Sequence, residues 1–479
     1  VTTHPATRAM VDEYVAWYDR HRDPAWQDIL LAPPGENEDR ENGDRENGDR
    51  QPWALALPRS GDDLAGMGRS FAKTLFLSAG NVTHDPAYGN LIALGILTTL
   101  QGREVATEHV ANAATYRDMI ANTGRFLTYC SGGAIIGQRL RPDPRDRVAL
   151  KVVRETDAGV FISGRLGMHT SPAFAEDLYI GGLSRIEIGG DCVGFIVPVN
   201  APGVTILCRR VAARDDNPFL SPLSGRFDEL DGQMWLEEVF VPWERVFPVG
   251  PDPDPIARWL RWHHLYGWLA RAEFSLGLAL ALTDAMGLTA HEPTVEYLVD
   301  MVVDVQTVRT CLLAGERDPE FTPAGYCHPN HRHIGAGGIA LFKARQRISE
   351  VLRVLPGSSL VVAPSDSDLA LPELAAGLEE ALGGGGYSAK QRAALLQLTW
   401  DHVASALDGR ESAFELHASG GPPNWRAWLR QNFNDYNELA NAVLDAIEMP
   451  MPRIDVGMIP AAPIAPRRPV TVPTAAEKK

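Results

Sequence analysis

The middle of the chain reads FLTYC (126–130), LRPDPRDR (140–147), RETDAGVFISGRLGMHTSP (154–172), FIVPVNAPGVTILCR (195–209) and SPLSGRFDELDG (221–232). Short runs rich in valine and isoleucine alternate there with Gly, Pro and Asp turns, and this pattern predicts β-strands. The runs with the strongest β character are 160–163, 193–198, 204–208 and 234–241. We therefore expect a β-domain in the middle of the chain.

Helical patterns flank this β-rich stretch on both sides. Apolar residues recur at helical spacing between 62 and 134, return between 256 and 316, where Val295 to Leu312 form one apolar stripe, and recur at 336–354, 389–407 and 424–447. Helix, then sheet, then helix favours an α+β fold with segregated layers over a doubly wound sheet. The predicted units are an N-terminal helical domain (1–134), a central antiparallel β-domain (135–250), a C-terminal helix bundle (251–450) and a tail (451–479).

The bulk composition limits the possible partners and compartments. The 479 residues are 45% hydrophobic and 22% charged, and the net charge of −16 disfavours nucleic acid and anionic membranes as partners. Five cysteines without a CxxC motif fit free thiols in a reducing cytoplasm. The longest apolar run, near Phe274–Leu282, is far shorter than the ~20 residues of a membrane span. Residues 36–50, ENEDRENGDRENGDR, are expected to form a solvated loop.

Three turns carry side chains that can bind a flat, polyanionic cofactor such as a flavin. The first turn offers Arg141 and Arg147 as planar donors for phosphate or a ring carbonyl. The second, His169-Thr170-Ser171, offers hydroxyls and backbone amides. In Asp408-Gly409-Arg410, placed at a helix break, arginine can pair with a pyrophosphate. From the residues alone, each is better interpreted as an ordinary solvated turn, β-turn or glycine helix cap.

The segment CHPNHRH (327–333) resembles a metal-binding tract, with four candidate ligands within seven residues. Zinc sites usually take their ligands from two separated pairs, and no second cluster is evident in the sequence. We therefore predict no metal site, and we interpret the tract as a polar loop leading into a helix near Gly335. The aromatic group around Trp262 is interpreted as core or subunit interface.

The central segments resemble, in their order and their sequences, the two-component, reduced-flavin-dependent phenol hydroxylases of the 4-hydroxyphenylacetate 3-monooxygenase family. The segments VTTHPATR (1–8) and SALDGRESAFE (405–415) resemble the same family. The resemblance covers nearly the whole chain. It implies an acyl-CoA-dehydrogenase-like architecture, a homotetramer, and FADH2 supplied by a separate NAD(P)H:flavin reductase. It also implies that residues precede Val1, since family members carry a few dozen residues before this segment.

The resemblance gives the three turns a role that the residues alone do not. It implies that FAD runs past the 140–147 turn, that the 168–172 turn touches the isoalloxazine, and that the 408–410 segment helps to hold the dinucleotide. Ser224 and Arg226 belong to the same polar edge. The implied cofactor-binding residues are Arg141, Arg147, His169, Thr170, Ser171, Ser224, Arg226, Asp408, Gly409 and Arg410.

The substrate positions depart from the family pattern. The family grips its phenol with an arginine, a tyrosine four residues later and a histidine on a following helix. The corresponding residues here are His84, Tyr88 and Tyr129, so only the tyrosine is kept. Because histidine lacks the permanent charge and planar fork of arginine, the pocket should favour a neutral hydroxyarene over a carboxylated phenol. The alternative is that all three are packed, hydrogen-bonded residues.

The expected function is that of an oxygenase which hydroxylates a phenol or hydroxypyridine-type aromatic, using FADH2 and O2 through a C4a-hydroperoxyflavin. His84, Tyr88 and Tyr129 are the candidate catalytic residues, and natural-product tailoring is the expected setting. Two alternatives stay open. One is a flavin-dependent acyl-CoA dehydrogenase or dehydratase, and the other is an inactive flavin-binding scaffold.

Overall fold

The computed structural model describes residues 2–33, 50–130, 150–181, 186–213, 217–250, 256–433, 436–447 and 449–453. The 36–50 loop (apart from Arg50), the turn that holds Arg141 and Arg147, and the tail beyond 453 lie outside the described residues.

The first part of the chain is mainly helical and ends in a strand. Its elements are α1 (Arg8–Arg22), α2 (Pro24–Leu30), α3 (Gly61–Leu77), α4 (Pro86–Gln101), α5 (Thr107–Thr123) and β1 (Leu127–Cys130). Asp85 begins α4, because its carboxylate accepts the Tyr88 backbone N–H at 3.0 Å, and Pro86 presets the first helical turn. This cap fixes where His84 and Tyr88 lie.

The central part forms two packed sheets. Its strands are β2 (Lys151–Thr156), β3 (Gly159–His169), β4 (Asp177–Ile180), β5 (Ile186–Ile188), β6 (Asp191–Pro198), β7 (Val204–Cys208), β8 (Gly232–Pro242) and β9 (Val246–Pro248). One sheet has the order β1-β4-β6-β5, with β9 also paired to β6, and the other has the order β2-β3-β8-β7. Hydrophobic side chains from both sheets, including Ile162, Phe195 and Leu236, form the core between them.

The last part is a helix bundle with one small hairpin. Its elements are α6 (Ala257–Ala285), α7 (Glu292–Arg317), β10 (Glu320–Phe321), β11 (Cys327–His328), α8 (His331–Val354), α9 (Asp366–Leu369), α10 (Pro372–Leu382), α11 (Ala389–Val403), α12 (Ala406–His417), α13 (Gly421–Asn432) and α14 (Tyr436–Asp445). Helix α6 is buried along most of its length and packs against α3, α4, α7 and α8. It joins the N-terminal helices and the bundle in one core.

The predicted α+β class with helical ends and a central β-domain is confirmed, with local corrections. β1 lies inside the block expected to be helical, and it pairs parallel to β4, whereas the other strand pairs described are antiparallel. Asp408-Gly409-Arg410 lies in the first turn of α12, after α11 has ended at Val403, and not at the end of a helix reaching 407. The local sequence pattern did not predict these two features, because pairing with another strand determines β1 and contacts with other helices determine where α11 ends and α12 begins.

The apolar stripe on α7 is divided between two faces. Met301, Val305 and Val308 are buried, whereas Val299 and Val302 are about half exposed. Trp262 is fully buried and donates to Glu316 Oε1 at 3.1 Å, so it belongs to the core of the chain and not to its surface.

None of the helices in the described ranges is both long enough and apolar enough to cross a membrane.

Candidate functional site

The end of β3 and the start of β8 create a polar corner. His169 pairs with Gly232 in the antiparallel ladder, which brings the turn Thr170-Ser171 beside residues 229–231. Ser171 and Leu230 have φ angles of +57° and +48°, a conformation that non-glycine residues rarely adopt. Strained backbone persists only where its surroundings hold it, and it is common at functional sites.

Asp231 links three parts of the chain at this corner. Its Oδ1 accepts from the Thr170 hydroxyl at 3.1 Å, and its Oδ2 accepts from Arg209 Nε at 2.9 Å. Arg410 of α12 adds a two-pronged contact, with Nε and Nη2 donating at 2.8 and 2.7 Å. Burial alone would raise the pKa of Asp231, but the two arginines outweigh it and hold that pKa well below its usual range.

Arg410 is enclosed by carboxylates. Besides its contact with Asp231, its Nη1 donates to Glu229 at 2.9 Å and to Glu411 at 2.6 Å. Burial opposes the charge of Arg410, but the three carboxylates hold its pKa above the ordinary value. All three guanidinium nitrogens therefore already donate to carboxylates, and the expected pairing of Arg410 with a pyrophosphate remains a prediction.

Glu229 connects this cluster to His84. Its Oε1 accepts the His84 backbone N–H at 2.5 Å and lies 3.4 Å from His84 Nδ1, while its side chain is fully buried. Burial would raise the pKa of Glu229, but the neighbouring Arg410 and His84 lower it, so the carboxylate stays ionised. A chain of contacts thus runs from Thr170 through Asp231, Arg410 and Glu229 to His84.

The rings of His84 and Tyr88 form one cluster with His264. The ring centroids of His84 and Tyr88 are 4.2 Å apart, and Tyr88 stacks on His264 of α6 at 5.0 Å. Phe414 of α12 closes the cluster, 5.5 Å from His84. Burial is the main cause of a lowered pKa at His264, so its imidazole is neutral. The predicted substrate residues His84 and Tyr88 are therefore brought together by the structure.

Tyr129 is placed differently from the expectation. The family pattern puts its third substrate residue on a helix, whereas Tyr129 lies on strand β1 and stacks on Tyr179 at 5.6 Å. Helix α4 packs tightly against β1, since a Cβ on Gly89 would lie 2.1 Å from the Leu127 carbonyl oxygen. Tyr129 therefore stands on an element next to His84 and Tyr88, and its role in substrate contact remains a prediction.

His169 has the environment expected of a ligand contact. It is 2% exposed, and neither ring nitrogen has a hydrogen-bond partner among the described residues. Burial lowers the pKa of His169 to about 3, so the ring is neutral and can donate from one nitrogen and accept at the other. Buried polar atoms without partners are rare, and a ring edge such as that of a flavin would satisfy them.

The other predicted cofactor residues make contacts within the chain. The Ser171 hydroxyl lies 2.6 Å from that of Tyr14, and the Ser224 backbone N–H donates to Asp401 at 2.8 Å. Arg226 is half exposed and pairs with Glu13. Asp408 accepts from Arg353 and Arg271, whereas Gly409 faces open space where a Cβ would be. Gly409 thus has room beside it for a close ligand.

Two clefts open near these residues. One of about 360 Å³ lies beside Tyr14, Trp17, Asp85 and Phe227. The other, of about 420 Å³, is lined by residues that include Arg271, His402 and Asp408. The first cleft adjoins the cap of α4 and reaches the Ser171 turn only through Tyr14, whereas the second is lined by Asp408. Of the two described cofactor turns, the one at the start of α12 therefore borders open space.

Sequence reasoning missed Glu229, Asp231 and His264. The two carboxylates alternate within FDELD (227–231), a spacing that places both side chains on one side of an extended segment. That alternation next to a Gly turn was an available signal. His264 carried no local signal, because it lies in an aromatic helix typical of a core.

Comparison with known proteins places the chain in a family. The family models described as 4-hydroxyphenylacetate 3-hydroxylase, N terminal and C terminal, match residues 1–248 and 258–446. The oxygenase component of 4-hydroxyphenylacetate 3-monooxygenase from Thermus thermophilus is 26% identical over 91% of this chain and 89% of that protein. A Rhodococcus opacus 4-nitrophenol 4-monooxygenase/4-nitrocatechol 2-monooxygenase, oxygenase component, is 29% identical over 87% of this chain and 80% of that protein.

Solved structures show the same fold. The crystal structure of an HpaB oxygenase component complexed with FAD and 4-hydroxyphenylacetate has a TM-score of 0.81 at 24% identity, covering 93% of both chains. An archaeal 4-hydroxybutyryl-CoA dehydratase from N. maritimus has a TM-score of 0.78 at 15% identity, covering 95% of this chain and 91% of that one. The fold is thus shared by hydroxylases and a dehydratase. The two family models span most of the chain, which therefore belongs to the 4-hydroxyphenylacetate 3-hydroxylase family.

Proposed function

We propose that the chain is the oxygenase component of a two-component flavin-dependent monooxygenase that hydroxylates a neutral phenol or hydroxypyridine-type aromatic. Flavin-dependent aromatic monooxygenation follows from family membership and from relatives named as monooxygenases of phenols. The observation that supports this site most directly is the buried His84–Tyr88–His264 ring cluster, joined by Glu229 to the polar corner of the β-domain.

The proposed FAD site lies along the β3–β8 corner and the first turn of α12. His169, with two unpartnered ring nitrogens, would contact the edge of the flavin ring, and Thr170 and Gly409 would border it. When bound, FADH2 would supply the two electrons and the activation of O2 that hydroxylation needs, with one oxygen atom entering the ring and the other leaving as water. The protein residues hold the substrate, exclude water and move its proton.

The proposed role of Tyr88 and His84 is to orient the ring hydroxyl and to accept its proton. Glu229 fixes His84 through a backbone hydrogen bond. Because Glu229 is an ionised carboxylate 3.4 Å from His84 Nδ1, a second carboxylate on the substrate would be disfavoured beside it. This charge supports the choice of a neutral hydroxyarene.

The relatives support such a substrate range. They include a 2,4,6-trichlorophenol monooxygenase of Cupriavidus pinatubonensis, 28% identical over 76% of this chain and 71% of that protein. A Streptomyces globisporus monooxygenase acts on a chloro-hydroxyphenyl propanoyl group on a peptidyl-carrier protein and is 27% identical over 94% of this chain and 87% of that protein. These two names are of phenols without a free carboxylate, and the second is consistent with natural-product tailoring, whereas the Thermus thermophilus relative is named for 4-hydroxyphenylacetate.

The proposed activity is tested by supplying the chain with FAD, NADH, O2 and a separate flavin reductase over a panel of phenols and hydroxypyridines. Hydroxylated product in step with NADH consumption supports the proposal. Reduction of bound FAD by an acyl-CoA without reductase would instead indicate a dehydrogenase. FAD binding with hydrogen peroxide as the only product on every substrate would indicate an inactive scaffold.

The His84→Arg variant tests the substrate preference. Restoring a fixed positive charge should shift the preference toward 4-hydroxyphenylacetate by about 1–3 kcal/mol, the range of a charge-assisted hydrogen bond. The measurement is kcat/KM for that acid against a neutral phenol in both proteins, together with product formed per hydrogen peroxide released. Efficient coupling of the unmodified protein with 4-hydroxyphenylacetate would contradict the proposed preference.

We further propose that the protein is a homotetramer and that the exposed face of α7 is part of its interface. Val295, Tyr297, Val299, Val302, Val303 and Leu313 are each between 41% and 56% exposed on this one helix. An exposed apolar surface of this kind on a protein of this size is typical of an association site.

Sedimentation at micromolar concentration is expected to give a tetramer. The double variant Val299→Asp/Val302→Asp should dissociate it, because two carboxylates would be buried without partners. Val153→Asp on β2, at a valine that is 42% exposed, is the matched control and should leave the assembly intact. A monomeric unmodified protein would refute the proposal, and equal behaviour of the two variants would remove α7 from the interface.

A further inference from the structure

Three metal-ligating side chains converge where the β10–β11 hairpin meets the start of α8. Glu320 Oε2 lies 3.1 Å from His331 Nδ1 and 3.6 Å from His328 Nδ1, and one ligand atom of each residue lies within 4.8 Å of the others. In a tetrahedral zinc site, bonds of about 2.0–2.1 Å place the ligand atoms about 3.3 Å apart. The observed spacing therefore suits an ion between the three side chains.

The imidazoles lack the hydrogen bonds that such buried groups normally make. His331 is 1% exposed, and neither of its ring nitrogens has a hydrogen-bond partner among the described residues. His328 Nδ1 is also without one. The 3.1 Å from His331 Nδ1 to Glu320 Oε2 is within ion-pair distance, but the 3.6 Å from His328 Nδ1 is too long for a hydrogen bond, so one carboxylate oxygen does not serve both imidazoles. A cation would satisfy the nitrogens and the carboxylate together.

The carboxylate is held in position for this role. Glu320 Oε1 accepts the backbone N–H of His331 at 3.2 Å, which leaves Oε2 directed at the two imidazoles. Such support of a ligand by a second hydrogen bond is typical of metal sites. The Glu320 side chain is 35% exposed, so water can reach a fourth coordination position.

We propose that Glu320, His328 and His331 bind a zinc ion that ties the β10–β11 hairpin to the start of α8. Two imidazoles and one carboxylate with an open position are a ligand set that zinc uses, whereas Mg²⁺ and Ca²⁺ prefer oxygen ligands alone. The CHPNHRH tract therefore contributes two of its four candidate ligands, and the remaining protein ligand, Glu320, comes from the neighbouring strand.

Arg258 makes a contact with His328 that competes with zinc binding, and this contact provides a further test. Its Nη1 lies 3.2 Å from His328 Nε2 and can only donate there. Zinc on Nδ1 leaves a proton on Nε2, so the exposed Arg258 side chain must turn away when the ion binds. Arg258→Gln should consequently tighten zinc binding, since it removes a positive charge beside the site.

The experiment is equilibrium dialysis of the chelator-treated full chain against zinc sulfate, with bound zinc measured by atomic absorption. We expect one zinc per chain, and Glu320→Gln and His331→Ala should each weaken binding by at least about tenfold. His333→Ala is the matched control, because His333 belongs to the same tract but faces Asp318 Oδ2 at 3.5 Å. Arg258→Gln should bind zinc more tightly than the unmodified chain.

The melting temperature provides a second readout. Zinc should raise it in the unmodified chain and in His333→Ala, because an ion that binds only the folded state stabilises that state. It should not raise it in Glu320→Gln, which keeps the size of the side chain and its Oε1 acceptor. Equal zinc affinity in the unmodified chain, Glu320→Gln and His333→Ala would overturn the proposal, as would the absence of zinc binding.

Discussion

Arg410→Ala should lower the free energy of unfolding by about 3–5 kcal/mol even in the absence of FAD, because the change removes a cation that three buried carboxylates share, and only Asp231 keeps a second arginine, Arg209. Arg410 donates to Asp231, Glu229 and Glu411, and Glu229 and Glu411 are 0% and 1% exposed. A buried carboxylate without its cation loses hydration and gains nothing in return. Urea unfolding of the FAD-free protein, followed by circular dichroism, measures the loss.

The pH dependence of this loss distinguishes a charge effect from lost packing. Without Arg410, the pKa values of the three carboxyls should rise, because burial raises them and the opposing cation is gone. The folded variant then takes up protons as the pH falls, so its deficit should be smaller at pH 4 than at pH 7. A deficit that does not change with pH would indicate packing alone.

Arg226→Ala is the matched control for this prediction. Arg226 pairs with Glu13 on a half-exposed surface, where removal of one partner should cost less than about 1 kcal/mol. A loss from Arg410→Ala no larger than that from Arg226→Ala would show that the cluster does not hold the fold together. The effect of Arg410→Ala on FAD affinity is then interpretable only at temperatures and urea concentrations where the variant remains folded.

The charged cluster around Arg410 explains how the elements that carry the site are fixed relative to one another. Arg410 lies on α12, Glu229 and Asp231 precede β8, and His84 precedes α4, so one set of charges fixes three elements relative to one another. The ring cluster stands at one end of this set and the Thr170 turn at the other. The same carboxylates thus fix the positions of the proposed substrate contacts and the proposed cofactor contacts relative to each other.

The helices and strands were predictable because their signals are local. The predicted run 160–163 lies within β3, which extends to His169, and the helical spacing predicted between 62 and 134 includes α4. β1 was missed because four residues following a helix carry little pattern, and its pairing with β4 is set by a partner about 50 residues away. The first turn of α12 was assigned to a helix break because its Ser405 cap is outweighed in the sequence by Gly409.

The candidate site was predictable only in part, for a related reason. His84, Tyr88, Thr170 and Arg410 were identified from the family resemblance, but the carboxylates that join them were not. Glu229 meets His84 across 145 positions of sequence, and Asp231 meets Arg410 across 179. Such pairs leave no periodicity in the chain. The proposed zinc site has the same property, because Glu320 contributes a single residue and not a second motif.

Tyr88→Phe should slow hydroxylation by about 10²–10⁴-fold while changing KM little, if the Tyr88 hydroxyl takes part in proton transfer from the substrate ring. This prediction rests on the proposed function. The ring contacts with His84 at 4.2 Å and His264 at 5.0 Å do not involve the hydroxyl, so the phenylalanine should keep the shape of the site. The measurement is single-turnover product formation with FADH2 and O2, together with product formed per hydrogen peroxide released.

Tyr129→Phe is the comparison that assigns the role of Tyr88. Tyr129 lies on β1 against Tyr179, outside the contacts that His84 makes with Tyr88, so the same loss of a hydroxyl should slow the reaction less. The Tyr88→Phe rate should also depend more steeply on pH below the pKa of the substrate hydroxyl, because without assisted proton removal only the ionised substrate reacts. A Tyr88→Phe rate within twofold of the unmodified protein would show that Tyr88 only packs, and a larger effect at Tyr129 would transfer the proton-handling role to β1.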